Sequence, residues 1–409
     1  MTIDRRFFLR GLTALGCSAA AHPFLTTVTL AAAGGGAPLG DHRLVVIILR
    51  GAMDGLDVVQ PLADPLFAQA RPTLGVDTGA LDLDGYFALN PSLKGLMALW
   101  AKGELGFAHA VSTPYRDKRS HFDGQDLLEA GTGTDVGLRA GHDGWLNRML
   151  QAVPGLVAET AFAVGRDAMP LLDGPAPVRN WTPDLKLSLS SQSQLLLDHV
   201  YHEDALFRDS AQEAMELAAE ADRPRPVAAM VEPAATRPAE GAIKMADVDR
   251  LVDFAAERLR GETRIAAFSQ TGWDTHKGQR GAIPRPLLRL ERTILRLRDQ
   301  LGPDWGKTTV LAMTEFGRTV RENGSRGTDH GTGGVMLMAG GAIRGGRVLG
   351  RWPGLAEADL YDRRDLMPTS DVRAWAAWAM RDLYGFDRNL LETKVFPGLA
   401  MGDDPKLIL

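Results

Sequence analysis

The chain has 409 residues, of which 45% are hydrophobic and 24% charged, and its formal net charge is −5. This composition is that of a soluble globular protein with a large core, and it lacks the basic blocks that nucleic acid or an anionic membrane surface would require. The single cysteine, Cys17, excludes an intramolecular disulfide and any metal site built from cysteines. A metal ion would therefore be held by histidine, carboxylate, hydroxyl or backbone oxygen.

Residues 1–33 are predicted to be an export signal. The stretch "RRFFLR" at 5–10 precedes an apolar run that is shorter than the roughly 20 residues of a membrane span. The paired arginines resemble the bacterial twin-arginine signal, and "LAAAGG" at 30–35 suits cleavage. A basic amphipathic surface helix is the alternative. The sequence thus predicts the twin-arginine export machinery as a partner, a periplasmic or otherwise exported protein, and no stable membrane span after cleavage.

Strands and helices alternate in the rest of the chain, which indicates an α/β fold with a mostly parallel sheet and helices on both faces. Apolar runs predict strands at 44–48, 104–111, 264–269 and 308–314, and a strand plus hairpin within 333–350. Helical spacing with cap residues predicts helices at 90–103, 120–131, from about 246, at 284–302 and at 370–385.

One domain is predicted over 42–409. The periodic pattern weakens between about 165 and 245, which indicates a cap or insertion in this domain. Residues 222–243 are rich in proline, alanine and charge and show no periodicity, so they are predicted to form a surface loop.

Ionisable residues follow the predicted strands at their carboxyl ends. In a parallel sheet these ends lie at one edge, so the residues are expected to form one cluster. Carboxylate and imidazole groups are ligands for zinc, manganese or a similar divalent ion. The residues of this predicted cluster are Asp54, Ser120, His121, Asp274, His276, Glu315, Asp329 and His330.

Each of these residues also has a structural interpretation. Asp54 and Asp274 suit turns, and Ser120 suits the N-cap of a helix. Glu315 could form an ion pair at a strand end, and the histidine of "GTDHG" could be solvated in a glycine-rich turn. Their coincidence at successive strand ends favours the functional interpretation.

Four segments closely resemble the domain-of-unknown-function family 1501, whose members are twin-arginine-exported bacterial proteins. These are "LRGAMDGLDVVQP", "SHFDGQDLLEAGT", "GWDTH" and the stretch from "TEFGRT" to "GTDHG". The resemblance implies a branch of the alkaline phosphatase-like superfamily, which includes sulfatases, phosphodiesterases and cofactor-independent phosphoglycerate mutases. The implied fold is an alkaline phosphatase-like α/β/α sandwich with a mostly parallel central sheet.

The resemblance also implies roles for the cluster. Enzymes of this superfamily hold two divalent ions with carboxylates and histidines, and their nucleophile begins the helix after the second strand. Ser120 is the best counterpart of the nucleophile, with His121 and Thr113 as alternatives. The implied metal ligands are Asp54, Asp274, His276, Glu315 and His330, with one or two ions.

The chain departs from the superfamily pattern at two places. Glu315-Phe316 stands where the superfamily has an Asp-His pair, so one histidine ligand is missing. Either Asp329 and His330 replace this ligand, or the second ion is absent. Sulfatases convert a cysteine to formylglycine, and no cysteine is available here for that role.

The residues predict a binding site for an anion beside the metal. Arg116, Arg119 and Lys118, or alternatively Arg318, are candidates for an anion clamp, and a solvated loop is the other interpretation. The leading hypothesis is an exported metal-dependent hydrolase or transferase that acts on small phosphate or related esters. The alternative is a non-catalytic envelope binding or assembly protein with a degenerate site. An exported oxidoreductase is a third hypothesis, but no dinucleotide-binding glycine motif follows the first strand.

Overall fold

A computed structural model gives the fold and describes residues 39–134, 143–165, 167, 169–181 and 245–409. The predicted export signal with Cys17 and the loop at 222–243 lie outside the described residues, as does most of the predicted insertion.

The strands have the following bounds: β1 Arg43–Arg50, β2 Val59–Gln60, β3 Leu81–Asp82, β4 Ala88–Leu89, β5 Leu105–Ser112, β6 Ala161–Val164, β7 Arg179–Trp181, β8 Ile265–Thr271, β9 Thr308–Met313, β10 Gly334–Ala339, β11 Val348–Leu349 and β12 Ser370–Asp371.

The α-helices are α1 Gly55–Val58, α2 Phe67–Ala70, α3 Met97–Ala101, α4 His121–Ala130, α5 Trp145–Gln151, α6 Met245–Arg260, α7 Gln279–Ala282, α8 Pro284–Leu301, α9 Val372–Tyr384 and α10 Arg388–Leu390. Short 3₁₀ segments lie at Pro91–Leu96, Ala158–Thr160, Pro170–Leu172, Gly302–Lys307 and Glu357–Asp359, and a π-helical turn lies at Leu391–Val395.

The described strands form a nine-stranded sheet in the order β11-β5-β10-β9-β1-β8-β6-β7, with β12 beside β5, and a small antiparallel sheet in the order β2-β4-β3. In the large sheet, β1 is parallel to both β8 and β9, and β6 is parallel to β8 and β7. Strand β10 runs antiparallel to its neighbours β9 and β5. The predicted mostly parallel sheet is confirmed, with β10 reversed within it. Strand β7 lies at the start of the predicted insertion but belongs to this sheet.

The hairpin predicted within 333–350 is wrong. Strands β10 and β11 lie on opposite sides of β5 and pair with it instead of with each other. The glycine-rich segment between them is held at the start of β5, where Gly345 N donates to Gly103 O at 2.7 Å and Gly346 N donates to Leu105 O at 2.6 Å. These bonds hold the segment as it crosses the start of β5. The glycines therefore allow a close backbone crossing and do not form the turn of a hairpin.

Both faces of the sheet are covered. Every residue of β1 from Leu44 to Leu49 has no exposed surface, as expected of a strand with apolar residues on both sides. Val45, Ile47 and Leu49 pack in a core with residues of α6 and α8, whereas α9 contacts β9. The α/β sandwich with a mostly parallel central sheet is therefore the observed fold.

Helix α8 shows why the sequence predicted it correctly. Leu287, Leu290, Ile294 and Leu297 recur at helical spacing and are fully buried. On its solvent side, two arginines form bidentate ion pairs with two aspartates of α6, namely Arg292 with Asp249 and Arg296 with Asp253. Gly302 then ends the helix with a φ of 55°.

The carboxyl ends of β1, β5, β8 and β9 lie at the same edge of the sheet, because these four strands run in the same direction. Strand β10 runs the other way, so its first residues lie at this edge as well. The segments that follow or precede these strand ends carry the predicted site residues.

Candidate metal site

The segment after β9 folds back on the segment before β10. Gly317 N donates to Thr332 O at 3.0 Å, and Thr319 N donates to Asp329 O at 2.9 Å. A Cβ atom on Gly317 would collide with the carbonyl oxygen of Gly333, so this close approach requires glycine. This pairing places the start and the end of "TEFGRTVRENGSRGTDHG" at the same edge of the sheet.

Four of the predicted residues, His121, Asp274, His276 and His330, form what we call the histidine cluster. Asp274 Oδ1 lies 3.0 Å from His276 Nε2 and 3.4 Å from His330 Nε2, and Asp274 Oδ2 lies 3.5 Å from His121 Nε2. The Nε2 atoms of His276 and His330 are 3.0 Å apart. Since the Asp274 side chain is 45% exposed, the cluster is open to solvent.

Each histidine of the cluster has a hydrogen-bond acceptor beside its Nδ1 atom. The pairs are His121 with Glu315 Oε1 at 2.8 Å, His276 with Asp329 Oδ1 at 3.0 Å, and His330 with Arg119 O at 2.9 Å. A carboxylate or carbonyl oxygen can only accept, so Nδ1 must carry the hydrogen. In the neutral imidazole, Nε2 then carries a lone pair. All three Nε2 atoms thus face Asp274, where a protonated ring donates to the carboxylate and a neutral ring presents a lone pair.

The histidine cluster fits a divalent ion. Neutral imidazole nitrogens and a carboxylate are the donor set that zinc and similar ions bind. One ligand atom each from His121, Asp274 and His330 lie within 4.8 Å of one another. When both rings are neutral, the contact between His276 and His330 brings two lone pairs to 3.0 Å, a repulsion that either a proton on one of the nitrogens or a bound cation removes.

Glu315 lies behind His121 and not among the groups that face the open cluster. It is fully buried, and Oε1 accepts from Gly51 N at 2.9 Å and Ala52 N at 3.0 Å as well as from His121. Burial raises the pKa of Glu315, but the hydrogen bonds from His121 and from the backbone outweigh it and hold the pKa below its usual value. The same bond to Glu315 raises the pKa of His121. Glu315 thus orients a histidine, as carboxylates often do beside metal sites.

Asp54 is not brought into the histidine cluster. Its two oxygens lie 2.7 and 3.0 Å from the guanidinium nitrogens of Arg71, and Gln279 Nε2 donates to Oδ2 at 2.6 Å. Asp54 also caps helix α1 by accepting from Leu56 N at 3.1 Å. Burial raises the pKa of Asp54, yet Arg71 and Gln279 together keep it lowered. These bonds make Asp54 a buried structural carboxylate.

Arg318 was one of the arginines predicted to bind an anion. It lies beneath the site, and its guanidinium group is occupied by hydrogen bonds to protein carbonyls. Its side chain is buried and donates to Gly51 O, Ala52 O, Trp273 O and Thr328 O at 2.8–3.1 Å. Arg318 Nη2 also lies 2.5 Å from Asp274 Oδ1. Burial raises the pKa of Asp274, but the hydrogen bond and the charge of Arg318 outweigh this effect and lower the pKa below its usual value. The carboxylate therefore stays ionised, and Arg318 holds it in place.

Ser120 is the N-cap of helix α4, where its Oγ accepts from Asp123 N at 3.4 Å. Thr113, the alternative nucleophile, is buried and donates to Glu315 O at 3.2 Å. Arg116 folds back on its own loop and donates to Ser112 Oγ and Tyr115 O. Arg119 is exposed and has a φ of 53°, a strained value that directs its carbonyl to His330.

Several residues of the site were not predicted from the sequence. Gln125 lies four residues after His121 on α4 and donates to Glu315 Oε1 at 3.1 Å. Asn323 Nδ2 donates to both His276 O and Asp329 Oδ1 at 3.0 Å. The helical spacing from His121 could have indicated Gln125. Nothing in the sequence indicated Asn323, whose partners come together only in the folded chain.

The comparisons with known proteins give a family. The model of the family "Protein of unknown function (DUF1501)" matches residues 96–377, a range that contains three of the four segments quoted above. No curated protein is similar to the chain. Within the described residues, no helix has the length and apolar character to cross a membrane.

Solved structures overlap the chain at low similarity. The lipoteichoic acid synthase LtaP from Listeria monocytogenes has 9% identity and a TM-score of 0.40, with 88% of this chain and 76% of that chain covered. The C-terminal periplasmic domain of EcEptC from Escherichia coli has 10% identity and a TM-score of 0.37, with 90% and 92% covered. A mutant of TAB5 alkaline phosphatase with Mg bound has 10% identity and a TM-score of 0.32, with 73% and 90% covered. Similarities this weak do not assign the activity of any of these proteins to this chain. The match over 96–377 shows that the chain belongs to the DUF1501 family of proteins of unknown function.

Proposed function

We propose that the protein is an exported metal-dependent hydrolase or transferase that acts on small phosphate or related esters. The observation that carries this proposal is the convergence of the Nε2 atoms of His121, His276 and His330 on the carboxylate of Asp274, at 3.5, 3.0 and 3.4 Å. The rings of His276 and His330 donate Nδ1–H to other groups, so in their neutral form the two facing Nε2 atoms, 3.0 Å apart, hold lone pairs that can bind a cation beside Asp274.

His121, Asp274, His276 and His330 would hold one divalent ion, such as zinc or manganese. When bound, such an ion supplies Lewis acidity that polarises an ester oxygen and stabilises the charge developing on it. Asp54 and Glu315 stay as structural carboxylates in this proposal, which therefore requires one ion where the superfamily resemblance implied two.

The residues around the histidine cluster would bind and orient the ester. Ser120 precedes His121 at the N-terminus of α4, where backbone N–H groups and the helix dipole favour an anion. Capping uses only an acceptor lone pair of the Ser120 hydroxyl, so its hydrogen remains available to a base. The exposed Arg119 side chain would bind the negative charge of the substrate.

Metal analysis of the folded protein tests this proposal. Wild-type protein supplemented with Zn²⁺ or Mn²⁺ and then desalted should retain about one ion per chain, and Asp274→Ala, His276→Ala and His330→Ala should each lose it. His42→Ala is the matched control, because His42 lies outside the cluster, before β1. A wild-type protein that keeps no metal would overturn the proposal.

Turnover of a panel of phosphate monoesters, phosphodiesters and sulfate esters then separates the two hypotheses made from the sequence. An enzyme should turn over at least one ester class in a metal-dependent way. Stoichiometric metal without turnover of any ester would favour the non-catalytic envelope binding or assembly protein.

Export and domain organisation belong to the same proposal. Residues 1–33 act as a twin-arginine signal, the protein works in the periplasm or outside the cell, and 42–409 form one domain with an insertion around 165–245. The support for these statements is the "RRFFLR" stretch, the small residues at 30–35 and the loss of periodicity in the insertion.

A further inference from the structure

Helix α4 presents three polar residues, at i, i+4 and i+8, to the carboxyl ends of β1 and β9. They are His121, Gln125 and Glu129. Glu315 follows β9 and contacts the first two, whereas Arg50 ends β1 and contacts the last two. The described contacts thus form one chain of alternating partners, in the order His121, Glu315, Gln125, Arg50 and Glu129.

Gln125 stands at the centre of this chain and uses both ends of its amide. Arg50 Nη1 donates to Gln125 Oε1 at 2.9 Å, and Gln125 Nε2 donates to Glu315 Oε1 at 3.1 Å. Arg50 can only donate and ionised Glu315 can only accept, so the orientation of the amide is determined by its partners. A glutamate at 125 would repel Glu315, and a lysine would repel Arg50.

Arg50 is itself held in place. Its Nη1 lies 2.7 Å from Glu129 Oε1, and Glu129 is 1% exposed, with Oε2 accepting from Leu171 N at 3.2 Å. Glu129 Oε1 can accept from Arg50 whether the carboxyl is ionised or neutral, so this buried contact holds the Arg50 side chain in place. Glu129, near the C-terminal end of α4, thus positions Arg50, and Arg50 in turn positions the Gln125 amide.

We infer that Gln125 is a positioning residue: it fixes the carboxylate of Glu315 and, through it, the orientation of His121 whose Nε2 faces Asp274. The inference rests on the proposed function for its consequence at a metal ion. Its structural content, the Nδ1–H tautomer and ring orientation of His121, exists in the metal-free protein as well.

Two variants of Gln125 and one control test this inference. Gln125→Met keeps nearly the same length and volume but cannot hydrogen bond, and Gln125→Glu keeps the acceptor for Arg50 but loses the donor to Glu315. Gln69→Met is the control, because Gln69 is an exposed glutamine whose amide bonds only to Pro65 O in the described structure. Thermal unfolding of all three reports whether they remain folded.

The first readout is ¹⁵N NMR of the His121 ring in metal-free protein, assigned with His121→Gln. At a pH high enough for the ring to be neutral, wild type and Gln69→Met should show protonated Nδ1 alone, and both Gln125 variants should show a mixture of tautomers. The second readout is Zn²⁺ affinity, which should be about tenfold weaker in both Gln125 variants, the lower end of the effect of removing an outer partner of a metal site.

The two readouts separate the inference from the proposed function. A wild-type protein without Zn²⁺ binding overturns the proposed function, while the tautomer measurement still decides the role of Gln125. If a folded Gln125→Met variant shows the wild-type tautomer and, where the wild type binds Zn²⁺, the wild-type affinity, Gln125 has no positioning role.

Discussion

At Glu315, a single buried carboxylate oxygen accepts hydrogen bonds from the amides of Gly51 and Ala52 and from the side chains of His121 and Gln125. This oxygen links the end of β1, the end of β9 and the start of α4. A carboxylate tolerates so many donors because its charge strengthens each bond and offsets the cost of burial. The residue therefore contributes both to folding and to the orientation of a candidate metal ligand.

Glu315→Gln should weaken metal binding by about 10- to 100-fold, because a neutral amide oxygen is a poorer acceptor for His121 Nδ1 and the NH₂ in place of Oε2 cannot accept from Thr314 Oγ1. A Zn²⁺ titration in competition with a chelator measures this. Glu322→Gln is the control, since Glu322 binds Thr73 and Leu74 outside the cluster. Equal affinities for Glu315→Gln and wild type would contradict an orienting role for Glu315.

Glu129 should make stability depend on pH. Burial raises its pKa to about 7 from an ordinary 4.5, although Arg50 lies beside it. Between these two pH values the folded protein binds a proton that the unfolded chain has released, so this residue's contribution to the free energy of unfolding falls as pH rises. The change corresponds to about 3 kcal/mol.

Urea unfolding of wild type and Glu129→Gln across this pH range measures the effect. The difference in unfolding free energy, wild type minus variant, should decrease from acid to neutral pH. Parallel profiles would show that Glu129 titrates normally in the folded protein.

At the scale of elements, the strand ends and the first turn of α4 carry the candidate site. Helix α4 is preceded by the N-cap Ser120 and followed by the C-cap Gly131, whose φ of 64° suits a glycine at the end of a helix. The cap fixes where the helix starts and hence where His121 lies. The N-cap role of Ser120 and its proposed role as nucleophile predict different effects of substitution.

Ser120→Ala should lower the free energy of unfolding by about 0.5–1 kcal/mol through loss of the cap, and Ser120→Asn should restore it. If Ser120 is also the nucleophile, both variants should lose ester turnover, because asparagine caps a helix but does not attack an ester. Chemical denaturation and turnover of the best ester of the panel measure the two effects. Full turnover in a folded Ser120→Asn variant would assign the attack to another group.

At the scale of the whole molecule, the histidine cluster joins segments that are far apart in the chain. His121 comes from α4, Asp274 and His276 follow β8, and His330 precedes β10. An ion bound by all four would connect these segments in the folded state only. Binding to the folded state alone stabilises a protein in proportion to the logarithm of ligand concentration.

Zn²⁺ at a hundredfold excess over its Kd should stabilise the wild-type protein by about 2.7 kcal/mol. His276→Ala and His330→Ala should lose this gain, which thermal unfolding with and without metal measures. The gain should be larger at about pH 8 than at about pH 5.5, because protons compete for Nε2 and the bond to Glu315 raises the pKa of His121. A gain that is unchanged in both variants would place any bound metal elsewhere.

The predicted export signal is tested in cells. Replacement of both Arg5 and Arg6 by lysine should leave the full-length precursor in the cytoplasm, since the paired arginines are the recognition element of this pathway. Immunoblots of cytoplasmic and periplasmic fractions measure the distribution, with Arg10→Lys as the control. Unchanged export of the double variant would exclude the twin-arginine route.

Local sequence was sufficient for the central strands of the large sheet and for the longer helices. Apolar runs and cap residues located β1, β5, β8, β9, α4 and α8 close to their observed bounds, because burial on both faces and helix capping are encoded by adjacent residues. The edge that gathers the site residues also followed from strand order, since parallel strands end on the same side. The crossing between β10 and β11 did not, because glycines suit a tight turn and a close backbone crossing equally well.

Tertiary structure alone decided which of the predicted site residues belong to the open histidine cluster and which are buried structural carboxylates. The sequence by itself determined that Asp54, Asp274, Glu315 and the histidines lie near one sheet edge. Only the fold paired Asp54 with Arg71, buried Glu315 under the backbone of residues 51 and 52, and left Asp274 in contact with three imidazoles. The physical reason is that carboxylates are alike in sequence, and what each one binds depends on which donors long-range packing brings to it.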